Sequence, residues 1–212
     1  MKTFITYIIF IALLVSCQEE INVNTSNENT NNKESVYTAK AERNNMLDGT
    51  IDDVLDNNPC TALNLPVQIE LNNTIVTIVE LTDLDILNEN DLIELVYPIT
   101  VTKQNYTTVA ITNEEELLKL QEECTELINS DRAPITCVSI DFPISIFTIV
   151  DNNKQDTIEI TSKEEYFNYL TNLSSSEIYS VDYPISLQQK DSTTITVQND
   201  KEYLDVLDAC GN

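Results

Sequence analysis

Cysteines and carboxylates carry the chemistry open to this chain. Cysteine stands at Cys17, Cys60, Cys124, Cys137 and Cys210, and 36 acidic residues face 11 basic ones, for a formal net charge of −25. Histidine and tryptophan are missing, and Gly49 and Gly211 are the only glycines. Without histidine there is no Ser-His-Asp or Cys-His relay and no imidazole-ligated metal. Two isolated glycines cannot build a phosphate-cradling loop or a dinucleotide fingerprint. A polyanion repels nucleic-acid phosphates, so nucleic acid is not an expected partner. The sequence points to no cofactor and no metal. A pair of carboxylates acting as acid and base, the arrangement that hydrolyses glycans, remains open. Solvated surface charge suits acidic residues spread over the whole chain better, and is the expected role.

The first cysteine has its own context. Lys2 is followed by an apolar run, Phe4 to Val15, too short to span a bilayer with its flanks but suited to a secretion signal. The run ends Leu14-Val15-Ser16-Cys17, an apolar residue and two spacers before cysteine. This resembles the lipobox of bacterial lipoproteins. The resemblance implies removal of residues 1–16, acylation of Cys17 and, at ~0.8 kcal/mol per buried CH₂, a lasting membrane anchor. Gln18-Glu19-Glu20 then resembles the surface-export signal of Bacteroidota lipoproteins, which implies display on the outer face of the outer membrane. Residues 17–45, rich in Asn, Thr, Ser and Glu, read as a lipidated disordered tether.

The elements that position the other cysteines come from an internal repeat. Around Pro66, Pro98, Pro143 and Pro184 the odd offsets are nearly all apolar: Ile93, Leu95, Tyr97, Ile99 and Val101, for example, or Tyr179, Val181, Tyr183, Ile185 and Leu187. Period two predicts a strand with one buried face. Tyr97, Phe142 and Tyr183 share the position before proline; core packing is expected of them, rather than a platform for stacking sugars. A polar turn and a second strand follow each proline run. Helix caps come next: Asn113 before three glutamates, Ser162 with Glu165, and Asn199 with Glu202. The first copy is weakest, with a short helix near Asp83–Leu87.

Cys60 and Cys137 each lie six residues before a proline, and Cys124 and Cys210 each lie eleven after a helix cap. Four cysteines allow three pairings; the repeat symmetry selects Cys60–Cys124 and Cys137–Cys210. An exported protein meets an oxidising compartment, which suits such pairing. The expected fold is α+β: four ββα repeats paired into two four-stranded antiparallel sheets, each with two helices on one face and one disulfide. The expected units are 46–129 and 137–212, joined by a linker at 130–136.

This pattern resembles repeats in uncharacterised exported lipoproteins of flavobacteria, a resemblance that brings no activity with it. The expectation is a non-enzymatic binding or structural module on a lipid anchor, with a protein or glycan ligand. The alternatives are a carboxylate-dependent, glycan-directed hydrolase and an accessory subunit of an envelope complex.

Overall fold

The computed structural model describes residues 29–88, 90–150 and 154–210. The expected signal peptide, Cys17 and the residues up to 28 lie outside them. The strands in chain order are β1 (Asn31–Asn32), β2 (Thr61–Leu63), β3 (Val67–Leu71), β4 (Thr74–Ile78), β5 (Ile93–Leu95), β6 (Ile99–Lys103), β7 (Thr108–Ile111), β8 (Val138–Ile140), β9 (Ile144–Val150), β10 (Lys154–Ile160), β11 (Ile178–Val181), β12 (Ile185–Gln189) and β13 (Thr194–Val197). The helices are α1 (Val36–Asn44), α2 (Asp53–Asp56), α3 (Glu114–Ile128), α4 (Lys163–Thr171) and α5 (Asp200–Cys210). Short 3-10 turns cover Thr50–Asp52 and Leu81–Ile86.

The expectation of two four-stranded sheets is overturned. Among the described residues there are four sheets, ordered β1-β11-β9-β10, β13-β12-β8, β2-β6-β7 and β4-β3-β5. The cause lies in the prolines. Proline has no N–H to give to a ladder, so each proline-centred run breaks into two strands. The halves then pair crosswise. The half before Pro66 pairs with the half after Pro98, and the half after Pro66 with the half before Pro98. Pro143 and Pro184 are related in the same way. One bond recurs at each break: the N–H two before proline donates to the carbonyl two after the partner proline. It joins Asn64 to Thr100 (2.8 Å), and it joins Val96 to Gln68, Asp141 to Ser186 and Asp182 to Ser145 (each 2.9 Å). Each unit is therefore two repeats facing each other about an approximate twofold axis.

The caps form as their spacing predicts. Asn113 accepts from the Glu116 N–H (3.0 Å), Ser162 from Glu165 (3.2 Å) and Asn199 from Glu202 (2.9 Å). Both expected disulfides are present, with Cα–Cα distances of 5.5 Å for Cys60–Cys124 and 5.8 Å for Cys137–Cys210. Each ties a helix to the start of a proline run. The first copy has only the 3-10 turn Leu81–Ile86 where a helix was expected, held by reciprocal bonds between Glu80 and Asp83.

The tether expectation also needs correction over its second half. From Asn31 the chain is ordered, with β1 on the edge of β11 and α1 packed on α4 and α5. Ser35 caps α1, accepting from the Thr38 N–H at 3.2 Å. Tyr37 and Ala41, one turn apart, are buried in the second unit's core. The segment is too polar to fold alone, but a core assembled from residues 138–207 supplies the apolar surface it lacks. The expected linker is tied to the same helix. Arg43 Nε donates to the Ala133 carbonyl (2.7 Å), and Asn44 Nδ2 donates to those of Ile135 (2.9 Å) and Val138 (2.8 Å).

Candidate binding groove of the first unit

Of the residues singled out from sequence, Cys17 lies outside the described part of the chain. The four body cysteines form the two crosslinks. Tyr97, Phe142 and Tyr183 pack against the edges of the two cores. Among the described residues no group of three or more Asp, Glu or Cys side chains is placed to hold a metal ion. The site that stands out involves none of these signals. It emerges when the two units are laid over each other by their repeat positions.

In the second unit, β1 and α1 cover the surface between the outer edge of β11 and helix α5. Asn31 pairs with Tyr179, and its Nδ2 donates to Asp200 Oδ2 at 2.6 Å. Asn29 Oδ1 accepts from the Asp200 N–H at 3.1 Å, so the start of α5 is held by two asparagines two residues apart. Tyr183 donates its hydroxyl to Asp200 Oδ1 (2.7 Å). Burial pushes the Asp200 carboxyl above the usual carboxylate range, against the opposing effect of the Tyr183 and Asn31 hydrogen bonds. Farther along, Tyr37 packs between the rings of Tyr179 and Tyr203, with centroids 6.3 and 5.2 Å away. Thr38 Oγ1 meets the Tyr179 hydroxyl (2.8 Å), and the Tyr203 hydroxyl donates to Asn44 Oδ1 (2.8 Å). Asp200, Tyr179 and Tyr203 thus each meet a partner from the N-terminal segment.

The first unit presents the same surface without the cover. Counting from proline and from the helix cap, Ile93 corresponds to Tyr179, Leu95 to Val181, Tyr97 to Tyr183, Glu114 to Asp200, Leu117 to Tyr203, Leu118 to Leu204 and Gln121 to Leu207. These first-unit residues, with Leu55 and Asp56, line a groove of about 360 Å³. Tyr179 and Val181 are 2% and 4% exposed, whereas Ile93 and Leu95 are only half-buried and Leu118 is 50% exposed. The sheet ends at β5, whose outer edge has no strand beside it among the described residues. Leu92, next to it in sequence, is 72% exposed.

Helix α2 is a four-residue stub where the second unit has the nine-residue α1. It reaches the groove because Gln121 Nε2 donates to the Asp56 carbonyl at 2.6 Å. Gly49 lets the segment before it lie flat on β2: a Cβ there would sit 2.2 Å from the Thr61 carbonyl oxygen. The stub is less well satisfied than α1. Asn58 Nδ2 and one oxygen each of Asp52 and Asp53 are buried without a partner among the described residues. Asn58 is fully buried and Asp52 is 2% exposed.

The groove does contain carboxylates. Burial, followed by the neighbouring Asp52 charge, pushes Asp56 up to about 7. Both Asp56 oxygens are already engaged, however, by the Asn58 N–H and the Thr61 hydroxyl (3.1 Å each). Glu94 and Glu114 are exposed at the rim. The arrangement offers a free sheet edge, an apolar floor and the start of a fifteen-residue helix. Those are the elements that receive an added strand. Compared with known proteins, the chain matches no family, no curated protein and no solved structure.

Proposed function

We propose that this chain is a lipid-anchored, surface-displayed, non-enzymatic binding module, and that it receives a segment of another polypeptide in the first unit's groove. One observation carries the reading: a surface built on the same repeat positions is covered by a strand and helix in one unit and open in the other. The open copy keeps apolar Ile93 and Leu95 on a sheet edge that is free among the described residues, with Leu118 on α3 lining the same groove. Strand addition obtains affinity from main-chain bonds and specificity from pockets for alternate side chains. The anchor rests on the residues around Cys17 and would hold the module at a membrane, where partners are concentrated. The hydrolase alternative draws no support from Asp56, whose two oxygens are engaged by the Asn58 N–H and the Thr61 hydroxyl.

A photo-crosslinking residue placed at Leu118, in the groove, and separately at Ile128, 48% exposed outside it, tests both parts in intact cells. The expected result is one discrete polypeptide adduct from position 118 and none from 128. Membrane retention should be lost in Cys17→Ala. Equal or diffuse adducts from both positions would remove the binding reading. Unchanged membrane fractionation of Cys17→Ala would remove the anchor.

A further inference from the structure

We infer that the occupant of the first unit's groove is residues 21–25 of a second copy of this chain, Ile21-Asn22-Val23-Asn24-Thr25. This deepens the groove reading and rests on it.

The second unit shows what the surface recognises. Its ligand is an extended strand carrying two asparagines two residues apart: Asn29 accepts from the first N–H of α5, and Asn31 donates to the carboxylate of that same residue. In the first unit the corresponding residue is Glu114, the first of α3, with Asn113 as its cap. The same spacing stands just ahead of the described residues in Asn22-Val23-Asn24; Asn27-Glu28-Asn29 and Asn88-Glu89-Asn90 share it but carry a glutamate between the asparagines. Laid on β5 in the register of β1 on β11, Asn24 falls opposite Ile93, as Asn31 falls opposite Tyr179. Asn22 then takes the place of Asn29 at the Glu114 N–H. Thr25 falls opposite Leu92 and Val23 lies diagonal to it, on the sheet face where Leu92 is 72% exposed.

Charge supports the same occupant. The groove is rimmed by Glu94 and Glu114 in a chain of net charge −25, so an acidic strand would be repelled. Residues 21–27 contain no ionisable side chain. Geometry favours a second copy over the same chain. Asn45, just past the end of α1, meets the first unit through the Tyr106 hydroxyl (3.0 Å), while β1 lies before the start of α1. That helix carries β1 about 13 Å back from the contact at ~1.5 Å per residue. The five residues from Asn24 to Asn29 extend at most ~17 Å, and Asn29 and Asn31 are fixed at the start of α5, which limits how far their own chain can carry Asn24 from the second unit.

Two soluble proteins test the assignment, one beginning at Gln18 and one at Asn29, both lacking the lipidated cysteine. Sedimentation equilibrium across a concentration series should show self-association of the longer chain and a monomer for the shorter. Hydrogen exchange should show protection of Ile93–Leu95 amides in the longer chain as it associates, and in the shorter chain when a synthetic peptide of residues 18–28 is added. Asn24→Asp places a like charge against Glu114 and removes an amide donor; it should weaken association about ten-fold or more. Leu118→Arg, on an exposed position, should do the same with an unchanged urea midpoint of the first unit. Equal association of both chain lengths overturns the inference, as does association without protection at β5. A longer chain that stays monomeric overturns it whether or not its β5 amides are protected; protection would identify the same chain as the occupant. An in-cell adduct at position 118 with a mass other than two copies leaves the groove as a binding surface and removes only the self-association.

Discussion

Truncating Tyr37 should unfold the second unit well before the first. The side chain is 2% exposed and belongs to a segment whose composition resembles a spacer. It contacts Tyr179 edge-on and Tyr203 at a tilt, and its hydroxyl lies 3.3 Å from that of Tyr166. Burial holds both the Tyr37 and Tyr166 hydroxyls well above the usual phenol range, so they stay neutral throughout. Removing a large buried aromatic costs about 3–5 kcal/mol, and the two ring pairs place Tyr37→Ala toward the upper end. Against a domain stability of about 5–15 kcal/mol, that lowers the second unit's midpoint by about 15 °C or more. Tyr37→Phe keeps the ring and removes only a long hydroxyl contact, so it should cost about 1 kcal/mol or less. Tyrosine near-ultraviolet circular dichroism is a clean probe because tryptophan is absent. Tyr37, Tyr166, Tyr169, Tyr179, Tyr183 and Tyr203 all belong to the second core or its edge, so the signal reports chiefly on that unit. A loss under about 1 kcal/mol for Tyr37→Ala in urea titration, with the tyrosine signal intact, would refute the claim that α1 completes this core.

Asp56 is raised to about 7 in the folded chain, so the folded state holds its proton more tightly than the unfolded one. The resulting stability is fully present below the unfolded carboxylate pKa and fades as pH rises through about 7. The first unit should be about 1–2 kcal/mol less stable at pH 8 than at pH 5, and Asp56→Asn should flatten that slope in urea titrations. The disulfides close spans of 64 and 73 residues, so replacing either pair by alanine should destabilise its own unit by about 4 kcal/mol, read as a lower urea midpoint.

What the sequence disclosed and what it hid have separate physical causes. Period-two alternation around Pro98 or Pro184 locates a strand because it depends only on local residues. Cap spacings such as Asn199 to Glu202 are equally local, and the cysteine offsets follow from the repeat. Sheet count depends on which half-strand finds which, and that choice lies in pairings such as Asn64 with Thr100, remote in sequence. The order in residues 31–44 was hidden because Tyr37 and Ala41 are buried by residues more than a hundred positions later. A signal was present, in Ser35 as a cap and in the one-turn spacing of those two residues. The groove was invisible because its evidence is a difference between equivalents. Ile93 and Leu95 fit the apolar pattern as well as Tyr179 and Val181 do, and only burial separates them.

That difference bears on whether each cover can leave. In the second unit, removing β1 and α1 would strip the Tyr179 hydroxyl of Thr38, the Tyr203 hydroxyl of Asn44 and the Asp200 carboxylate of Asn31. It would also expose Tyr37's aromatic neighbours to water. A surface with so many buried polar groups demands a permanent partner. The first unit has Ile93 for Tyr179 and Leu117 for Tyr203, side chains with no hydrogen-bonding group to strand. At the position of Leu207 it has Gln121, whose amide already has the Asp56 carbonyl. Its Glu114 stays exposed, where the equivalent Asp200 is buried. Emptying that groove wets apolar area but orphans none of these groups, so the empty and filled states lie closer in energy than they do in the second unit. A reversible occupant therefore suits the first unit and a resident one the second, although both are built on the same repeat.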